Sequence, residues 1–474
     1  MRLRVLLPGI VASVLVTAAD VLARPGGGGS YHGGGGGGGS FGGGGGGFSG
    51  GGGGFSGVGG VSHPGGGGSM GPLGLLLLLG LLAAVGLLVL LQRSRQVRGF
   101  RAEQYDASAA ARPSVSLAPL QSRDPQLTEQ SIALHVHPMA EQLRNAWCAG
   151  NMLPARAFVS DGVYSRFQVQ LALMRQENRR NVMGDASVTH LSIEAVEDAD
   201  PLDVVHVRLT GQARDTEVPW TADDAQIRKA LAKTPIAPYT EIWTLVRCAG
   251  AQTKPGDFQV GTSCPKCGAP LAGGEMLKCR YCGALVCSGE HDWVLAEITQ
   301  LEEWLPTAGR RPGLDTLREK DPGVAAEVLE DRASYLFWKW VEAGRAGSAA
   351  PLRKCATAAF VASGGHSERT RGASDVAVGA SDLHMCMVGQ ADGFDHVDVR
   401  IKWSARFNGS QQYSSQQTLL RMARRTGVQS KLSMTALVCQ ACGAGLTDSD
   451  TTKCDHCGVE LAAGDQAWVL EAVM

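Results

Sequence analysis

The chain has 474 residues, enough for two or three domains, and its 44 Lys and Arg residues nearly balance 45 Asp and Glu residues, for a formal net charge of -1. A protein that binds duplex nucleic acid usually carries a basic face or tail, and none is visible, so no nucleic-acid partner is expected. The composition is uneven, because the 64 glycines are concentrated near the N-terminus.

The first residues predict an export signal. Arg2 and Arg4 precede an apolar run, and Val21 and Ala23 stand at the positions that a signal peptidase reads. We therefore assign residues 1–23 to a secretory signal peptide. An uncleaved first membrane helix is the alternative.

Residues 24–71 form a glycine-rich segment, which cannot bury enough apolar surface to offset its ordering entropy and is expected to be disordered. The run from Leu73 to Leu91 then contains no charged residue and matches the thickness of a bilayer's hydrocarbon core. It predicts one transmembrane helix over residues 72–92.

Basic residues directly follow this predicted helix, in a polar linker assigned to residues 93–125. The positive-inside rule therefore places the glycine-rich segment outside and everything beyond residue 93 in the cytoplasm. The basic residues are Arg93, Arg95, Arg98 and Arg101.

The rest of the sequence contains two copies of one module, which we assign to residues 126–305 and 316–474. Eight cysteines repeat at an offset of 175, and Trp293-Val294-Leu295 matches Trp468-Val469-Leu470 at the same offset. The cysteine pairs are Cys264 with Cys439, Cys267 with Cys442, Cys279 with Cys454, and Cys282 with Cys457. Three further matches at other offsets are Arg208 with Arg400, Arg214 with Arg406, and Thr244-Leu245-Val246-Arg247 with Thr418-Leu419-Leu420-Arg421.

Each module reads as helices followed by strands, which predicts an α+β fold. In the first copy the apolar residues from Ile132 to Trp147 recur at helical spacing, with Pro138 expected to kink or split the helix. Three alternating segments and a last apolar stretch predict a three- or four-stranded antiparallel sheet, with the cysteine-rich stretch between the last two strands. These segments are 188–196, 204–213, 239–248 and 292–298.

Both cysteine-rich stretches, 264–283 and 439–458, have the spacing C-x2-C-x11-C-x2-C with glycine after the second and fourth cysteine. Four thiolates make a closed tetrahedral zinc site, so we predict two structural zinc ions held by the eight repeated cysteines. Disulfides are disfavoured in a reducing compartment, and an iron–sulfur cluster is the remaining alternative. Cys287 and His291 are predicted bystanders, because Ala462 and Gln466 stand at their positions in the second copy.

Three stretches of the first copy resemble the Tim44-like domain, named for a scaffold of the mitochondrial import motor. They are AFVSDGVYSRFQVQLALMRQENRRN (157–181), IEAVEDADPLDVVHVRLTGQARD (193–215) and YTEIWTLVRCAG (239–250). The second copy lacks the Ser-Asp-Gly-x-Tyr run and keeps only Ala359-Phe360-Val361 of that region.

The resemblance implies two cone domains of the NTF2 type, each a curved antiparallel sheet packed on helices around an apolar pocket. Bacterial proteins with this layout resemble the whole chain: an anchor, a glycine-rich spacer, a Tim44-like domain and a zinc ribbon. The implied location is the bacterial inner membrane, with both modules cytoplasmic. The mitochondrial relative's own partners are not carried over, since this chain does not match the segments that contact them.

The leading hypothesis is a non-enzymatic inner-membrane scaffold or adaptor that binds protein or lipid partners. The alternative is a small-ligand binder or enzyme that uses the cone pocket, with Asp161, His206 and Glu241 as candidate groups. Their spacing predicts no convergence, and Glu241 is interpreted as a charge at a strand edge. Anionic lipid is a third possibility, for which the candidate residues are Arg175, Arg179 and Arg180, and an ordinary solvated helix face is the favoured interpretation of these arginines.

Overall fold

The computed structural model describes most of the chain beyond residue 113. The predicted signal peptide, glycine-rich segment, transmembrane helix and first part of the linker lie outside the described residues. Within the described part, no helix combines the length and apolar character needed to cross a membrane. The described ranges are 114–198, 201–254, 260–271, 278–301, 304, 311–364, 369–410, 412–430, 433–435, 438–439, 441–442, 444–446 and 451–474.

Module 1 is an α+β unit built on one four-stranded antiparallel sheet with the strand order β1-β2-β3-β4. The first cysteine-rich stretch lies between β3 and β4, as predicted, and the strands extend beyond the predicted segments. The elements are α1 (Ala118–Gln121), α2 (Glu129–Cys148), α3 (Asp161–Gln176), β1 (Arg179–Asp198), β2 (Leu202–Pro219), α4 (Asp224–Lys233), β3 (Ile236–Cys248) and β4 (Val294–Gln300).

Module 2 repeats this plan with its own four-stranded antiparallel sheet, in the order β5-β6-β7-β8. Its third helix is much shorter than α3. The elements are α5 (Leu314–Lys320), α6 (Ala326–Ala346), α7 (Ala358–Ala362), β5 (Ala373–Met387), β6 (Phe394–Phe407), β7 (Tyr413–Arg425) and β8 (Val469–Val473).

The helix α2 forms as its sequence pattern predicts. The Thr128 hydroxyl accepts the Ser131 N–H at 3.0 Å and caps the first turn. The apolar stripe from Ile132 to Trp147 is buried against the sheet. Pro138 does not split the helix, which runs unbroken to Cys148. The helix continues through Pro138 although proline cannot donate one of the backbone hydrogen bonds.

Matching β-bulges bend the two sheets. The pairing of β1 with β2 and of β5 with β6 each shifts register three times, which curves the sheet over the helices. Asp185 and Asp375 occupy the first bulge of each module with φ of 48°. Their carboxylates pair with Arg214 and Arg406, so the predicted match between these two arginines is confirmed.

The linker predicted over 93–125 does not extend that far. Val115 donates its N–H to Ile193 O at 2.9 Å, and Leu120 is fully buried in the core of module 1. Residues 114–125 therefore belong to module 1. Module 2 likewise begins before residue 316, because Leu314 is buried in its core.

The two modules pack against each other through α3 and α6. Val169 and Leu173 of α3 belong to the apolar core of module 2. Gly162 donates its N–H to Asp331 Oδ1 at 3.0 Å, and Gln170 Nε2 donates to Val376 O at 2.9 Å. The sequence left open whether the modules pack together or work separately. In the structure they form one compact body.

Gly162 lies at a point of close approach between the two modules. An added Cβ would lie 2.8 Å from Asp331 O and 3.0 Å from Ser334 Cβ, so the helices would have to separate. We expect Gly162→Ala to lower the unfolding free energy by about 1–3 kcal/mol, measured by urea denaturation. Gly445→Ala is the control, since it meets open space at an ordinary backbone angle. Equal midpoints for the two variants would contradict this packing.

Candidate metal centres, module interface and cavities

The first cysteine-rich stretch gathers its four sulfur atoms into one group. Cys264 Sγ lies 3.7 Å from Cys282 Sγ, Cys267 Sγ lies 3.8 Å from Cys279 Sγ, and all four sulfurs lie within 4.8 Å of one another. Thiolates at about 2.3 Å from one tetrahedral ion stand roughly 3.8 Å apart, so the group fits zinc. The first and third cysteines are buried, and the second and fourth are exposed.

Two glycine turns shape this group. Cys264 donates its N–H to Ala269 O at 2.8 Å, and Gly268 donates to Cys264 O at 2.9 Å with a φ of 74°. Gly283 repeats this turn after Cys279, with a φ of 71°. The glycine after each cysteine pair is therefore required by a backbone angle that other residues rarely adopt.

The backbone of the second turn favours a thiolate. The N–H groups of Cys282 and Tyr281 point at the Cys279 sulfur and lower the pKa of this thiol to about 6. Burial raises the pKa of the Cys264 thiol to about 12. A bound cation displaces the remaining protons from such a group, which couples metal binding to pH.

The second cysteine-rich stretch has the same geometry. The separations are 3.7 Å between Cys439 Sγ and Cys457 Sγ and 3.8 Å between Cys442 Sγ and Cys454 Sγ. All 13 cysteines lie among the described residues, and none forms a disulfide. The two four-cysteine groups are thus consistent with two structural zinc sites, as predicted. We call the two stretches ribbon 1 (264–283) and ribbon 2 (439–458).

A buried ion-pair cluster lies where ribbon 1 leaves the sheet of module 1, and no local sequence pattern predicts it. Arg247 Nη2 donates to Asp124 Oδ2 at 2.9 Å, and its Nε donates to Asp203 Oδ2 at 3.0 Å. The guanidinium stacks on Trp293 at 4.3 Å from the ring centre. All three charged side chains are at most 2% exposed. The cluster joins both ends of the ribbon insertion to the sheet.

Module 2 contains the same device. Arg424 Nη2 lies 2.8 Å from Asp321 Oδ2, and the guanidinium stacks on Trp468 at 4.4 Å. Arg424 lies opposite Asp395 in the sheet, as Arg247 lies opposite Asp203. The structural equivalent of Arg247 is therefore Arg424. The sequence match of Arg247 with Arg421 was wrong by three residues.

The match around Ala359-Phe360-Val361 was also wrong. In module 1, Ser160 caps α3 and donates its N–H to Leu295 O at 3.0 Å. In module 2, Thr357 caps α7 and donates its N–H to Leu470 O at 2.8 Å. The segment 157–159 precedes its helix, whereas 359–361 lies inside the helix, so the shared letters do not mark equivalent positions.

Neither Cys287 nor His291 joins a metal group. Cys287 is fully buried and accepts a hydrogen bond from Arg156 Nη1 at 3.2 Å. Arg156 also pairs with Asp161 at the start of α3. Cys287 is thus part of the packing between ribbon 1 and the helices, and the bystander assignment agrees with the geometry.

A buried carboxyl group stands at the module interface. Asp331 lies beside Gly162, and burial raises its pKa to about 8, with the Asp161 charge acting in the same direction and Arg156 against it. Burial also raises the pKa of Glu297 and of Glu330 nearby. With a pKa of about 8, Asp331 is therefore mostly protonated at neutral pH.

This protonation predicts a pH dependence. Because the pKa of Asp331 is raised in the folded state, its contribution to stability is present below the unfolded pKa near 3.8 and is lost as pH rises towards about 8. We expect the wild type to lose about 1–3 kcal/mol more than Asp331→Asn between pH 5 and pH 7. Urea unfolding at both pH values measures this difference. Parallel pH profiles for the two proteins would show that Asp331 is ionised in the fold.

The three candidate catalytic groups do not converge. Asp161 pairs with Arg156 at the module interface, and His206 contacts Thr244 Oγ1 and Glu197 Oε1, each at 3.0 Å. Glu241 accepts a hydrogen bond from Trp243 Nε1 at 2.9 Å. Each group therefore has a different structural partner.

The interpretation of Glu241 as a strand-edge charge was wrong. Its strand β3 is paired on both sides, with Leu209 on β2 and Gln300 on β4 opposite Glu241. The side chain is buried and lines the cavity inside module 1. Strand order, which the local sequence did not specify, decides this placement.

The three arginines proposed for lipid contact have partners within the chain. Arg179 pairs with Glu177, Glu217 and Asp375, the last of which belongs to module 2. Arg175 stacks on Trp220 at 5.5 Å, and Arg180 donates to Ala222 O at 3.2 Å. These contacts argue for a structural role of the three side chains rather than headgroup binding.

A cavity of about 430 Å³ opens between α2 and the curved sheet of module 1. We call it the cone cavity. Apolar and polar side chains both line it, and they include Leu143, Met183, Leu209, Tyr239 and Trp243 together with His137, Glu141, Arg144 and Glu241.

Aromatic side chains fill the corresponding interior of module 2. Trp403 stands where module 1 has Gly211, by the register that equates Arg247 with Arg424. Its ring packs against Phe337 at 5.5 Å and Trp340 at 6.0 Å, and all three are buried. At Gly211 an added Cβ would lie 2.6 Å from the Tyr239 ring. The two modules have therefore diverged at this position.

A second cavity, of about 740 Å³, lies between the modules, and we call it the inter-module groove. Its walls come from α3 of module 1, α6 of module 2 and ribbon 2. Val169, Leu173 and Tyr335 provide apolar surface. Its charged lining side chains are Arg156, Arg332, Lys339, Glu342, Arg345 and Lys354.

Comparison with protein-family models and with curated proteins finds no match. Among solved structures, the chain is similar to an "Ntf2 like protein involved in plasmid conjugation" at 10% identity. The similarity covers 63% of this chain and 92% of that protein, with a TM-score of 0.15. A TM-score this low carries no conclusion about function. What stands is a mixed α+β fold with two antiparallel sheets and two four-cysteine groups.

Proposed function

We propose that the chain is a membrane-anchored, non-enzymatic adaptor of the Tim44-like kind, whose paired modules hold a protein partner in the inter-module groove. The sequence places the anchor over residues 72–92 and the modules on the cytoplasmic side of a bacterial inner membrane. The two zinc ribbons serve this role as rigid clips, because each one closes the insertion between the last two strands of its module.

The observation that carries this proposal is that neither module alone makes the groove. One wall is α3, whose Val169 and Leu173 also pack into module 2, and the other wall is α6. The groove exists only when the two modules are paired, so two copies of the module in one chain are needed to form it. Its volume of about 740 Å³ lies in the range of pockets that bind ligands or anchor side chains of a partner.

The lining of the groove indicates the chemistry of the partner. Five of its charged side chains are basic, namely Arg156, Arg332, Lys339, Arg345 and Lys354, and only Glu342 is acidic. Arg156, Lys339 and Lys354 pair with Asp161, Glu342 and Asp455, so the net positive charge of the groove comes from Arg332 and Arg345. Complementary charge favours the association of an acidic segment, and the apolar floor favours a segment with one apolar face. We therefore expect an amphipathic, acidic peptide segment of a protein partner.

The structural roles of the candidate catalytic groups support a binding function. Asp161 and His206 are buried in separate places and are held by Arg156, Thr244 and Glu197. A general acid and base must reach one reacting atom, and neither of the two cavities described above is lined by Asp161 or His206. The contacts of these side chains stabilise the fold.

A photocrosslinking experiment tests the adaptor function in cells. A photoreactive amino acid replaces Ala172, which is exposed in the groove, in the full tagged chain. The same replacement at Leu134, which is 59% exposed on α2 and lines neither cavity, is the matched control. We expect one dominant protein adduct from position 172 that is absent from position 134. Equal patterns of adducts at both positions would overturn the adaptor proposal.

The cone cavity supports a second candidate function, the binding of a small ligand by module 1. The favouring observation is that Gly211 leaves this cavity open where Trp403 contributes to a packed core in module 2. Its one buried carboxylate, Glu241, sits beside Trp243 and Tyr239, an arrangement that suits a ligand with a ring and a hydrogen-bond donor.

Native mass spectrometry of the purified full chain tests this second function. A co-purifying ligand that is lost in Glu241→Gln, with the fold retained, would assign the cavity to ligand binding. Glu460→Gln is the control, because this carboxylate lies two residues beyond ribbon 2, where it accepts a hydrogen bond from Thr452, and does not line the cavity. An unliganded chain recovered from native membranes would remove this candidate.

A further inference from the structure

The two zinc ribbons share their zinc geometry but differ on their outer surface. Tyr281, between the last two cysteines of ribbon 1, is 65% exposed, the highest value among the large apolar side chains of the described residues. Ribbon 2 has His456 at the equivalent position. Single exposed apolar side chains are ordinary on protein surfaces, so the interest of Tyr281 lies in the residues around it.

Three basic residues accompany Tyr281 on ribbon 1. Lys266, Lys278 and Arg280 are all exposed, and none of them forms an ion pair or side-chain hydrogen bond with the described part of the chain. These four residues, Lys266, Lys278, Arg280 and Tyr281, are called the knuckle surface below. Because Cys264, Cys267, Cys279 and Cys282 converge within 4.8 Å, the two turns that carry the knuckle surface are held side by side.

Ribbon 2 does not present such a surface. At the offset of 175, Ala441 replaces Lys266 and Asp455 replaces Arg280, while Lys453 keeps the charge of Lys278. Asp455 pairs with Lys354 of its own module at 2.7 Å. The equivalent positions of ribbon 2 are exposed as well, but they carry one lysine and one aspartate in place of three basic residues, so the two ribbons differ in charge rather than in exposure.

We propose that the knuckle surface docks on the anionic lipid headgroups of the membrane in which the chain is anchored. The proposal rests on the membrane anchor of the proposed function and adds a second contact with the bilayer. Tyrosine prefers the headgroup level, where its ring meets apolar surface and its hydroxyl meets water. Basic side chains near an anionic bilayer gain electrostatic attraction, each strengthening binding by about fivefold.

Two features favour lipid over nucleic acid as the occupant. The chain as a whole carries a net charge of -1, without the basic surplus that nucleic-acid binding requires. A chain tethered to the bilayer also meets its headgroups at a high effective concentration, so three cations and one aromatic ring suffice for docking. A free soluble module with this small surface would bind lipid only weakly.

Hydrogen exchange of the full chain in lipid nanodiscs tests this docking. One set of nanodiscs contains phosphatidylcholine alone, and the other an equal mixture of phosphatidylcholine and phosphatidylglycerol. We expect the backbone amides of residues 278–286 to exchange severalfold more slowly in the anionic nanodiscs. High salt should abolish this difference, because the attraction is electrostatic.

The decisive variant gives ribbon 1 the residues of ribbon 2, as Lys266→Ala, Arg280→Asp and Tyr281→His together. None of these is a metal ligand, so the chain should keep its fold and its metal content, which are measured in parallel. The variant should lose the slowing by phosphatidylglycerol, and the control Lys453→Ala in ribbon 2 should keep it.

Three results would overturn the docking proposal. The first is equal exchange in both kinds of nanodisc, and the second is slowing that persists in the triple variant. The third is protection of residues 278–286 by a single-stranded oligonucleotide but not by anionic lipid. Failure of the anchor itself is distinguished by resistance to alkaline extraction: a chain that is extracted refutes the anchor, and the docking that rests on it, whereas an embedded chain without slowing refutes the docking alone.

Discussion

Replacing Arg247 by methionine is expected to lower the unfolding free energy by about 3–5 kcal/mol, because it leaves the buried Asp124 carboxylate without its cation and leaves Asp203 with Arg123 alone. Asp124 and Asp203 are each 1% exposed and both accept hydrogen bonds from the Arg247 guanidinium. Methionine keeps the volume over Trp293 but brings no charge. The equivalent Arg424→Met should cost a similar amount in module 2, where Asp321 is 3% exposed.

The neighbouring residue in the sequence supplies the control. Arg425 pairs with Asp465, but the two side chains are 54% and 40% exposed, so solvent screens the pair. Arg425→Met should therefore cost less than about 1 kcal/mol. Urea unfolding of the three variants measures these differences. If Arg424→Met and Arg425→Met are equally stable, the buried cluster does not hold the ribbon insertion to the sheet.

Removal of zinc is the second large effect that we expect. Structural zinc sites of this kind contribute on the order of 10–16 kcal/mol of apparent binding free energy, so a ribbon without metal should unfold locally. The wild-type chain should contain two zinc ions. Cys267→Ser and Cys442→Ser should each reduce the content to one, and hydrogen exchange should show loss of protection in the altered ribbon alone.

Cys287→Ser is the matched control for the zinc experiment. This cysteine lies four residues after Gly283 but contacts Arg156 and does not belong to the metal group. Its serine variant should keep two zinc ions per chain by elemental mass spectrometry. Iron in place of zinc would contradict the assignment of the metal. Loss of metal in the Cys287 variant would contradict the assignment of the eight ligands.

The metal groups could be predicted because their determinants are local in sequence. Two close cysteine pairs with a following glycine specify a turn, and the glycine angles at Gly268 and Gly283 agree with that reading. The helical stripe from Ile132 to Trp147 and the place of the ribbons between the last two strands were predictable for the same reason.

The remaining features depend on contacts between residues far apart in the chain. Arg247 and Asp124 are 123 residues apart, and nothing near either one marks the pair. The three-residue error in matching Arg247 arose because Arg421 and Arg424 both lie near the equivalent position in the sequence. Only the sheet register identifies Arg424 as the equivalent residue. Glu241 was predicted to lie at a strand edge, but the strand order puts it in a strand that is paired on both sides, where it lines the cone cavity.

The inter-module groove belongs to the same class. Its walls, α3 and α6, are each ordinary amphipathic helices in sequence. Their mutual packing requires Gly162 beside Asp331. A glycine permits this close approach, but its presence in the sequence does not predict which residue packs against it. The open interior of module 1 depends on Gly211, and the filled interior of module 2 depends on Trp403. Only the sheet register shows that these two residues occupy equivalent positions.

Native-state hydrogen exchange of Arg247→Met tests most directly the claim that the two modules act as one body. The substitution lies in the sheet of module 1, and the amides of α6 in module 2 provide the readout. We predict that the opening free energy of α6 falls together with that of α3, because the two helices share one interface. If α6 keeps its wild-type protection while module 1 opens, the modules are independent and the groove between them is not a stable binding surface.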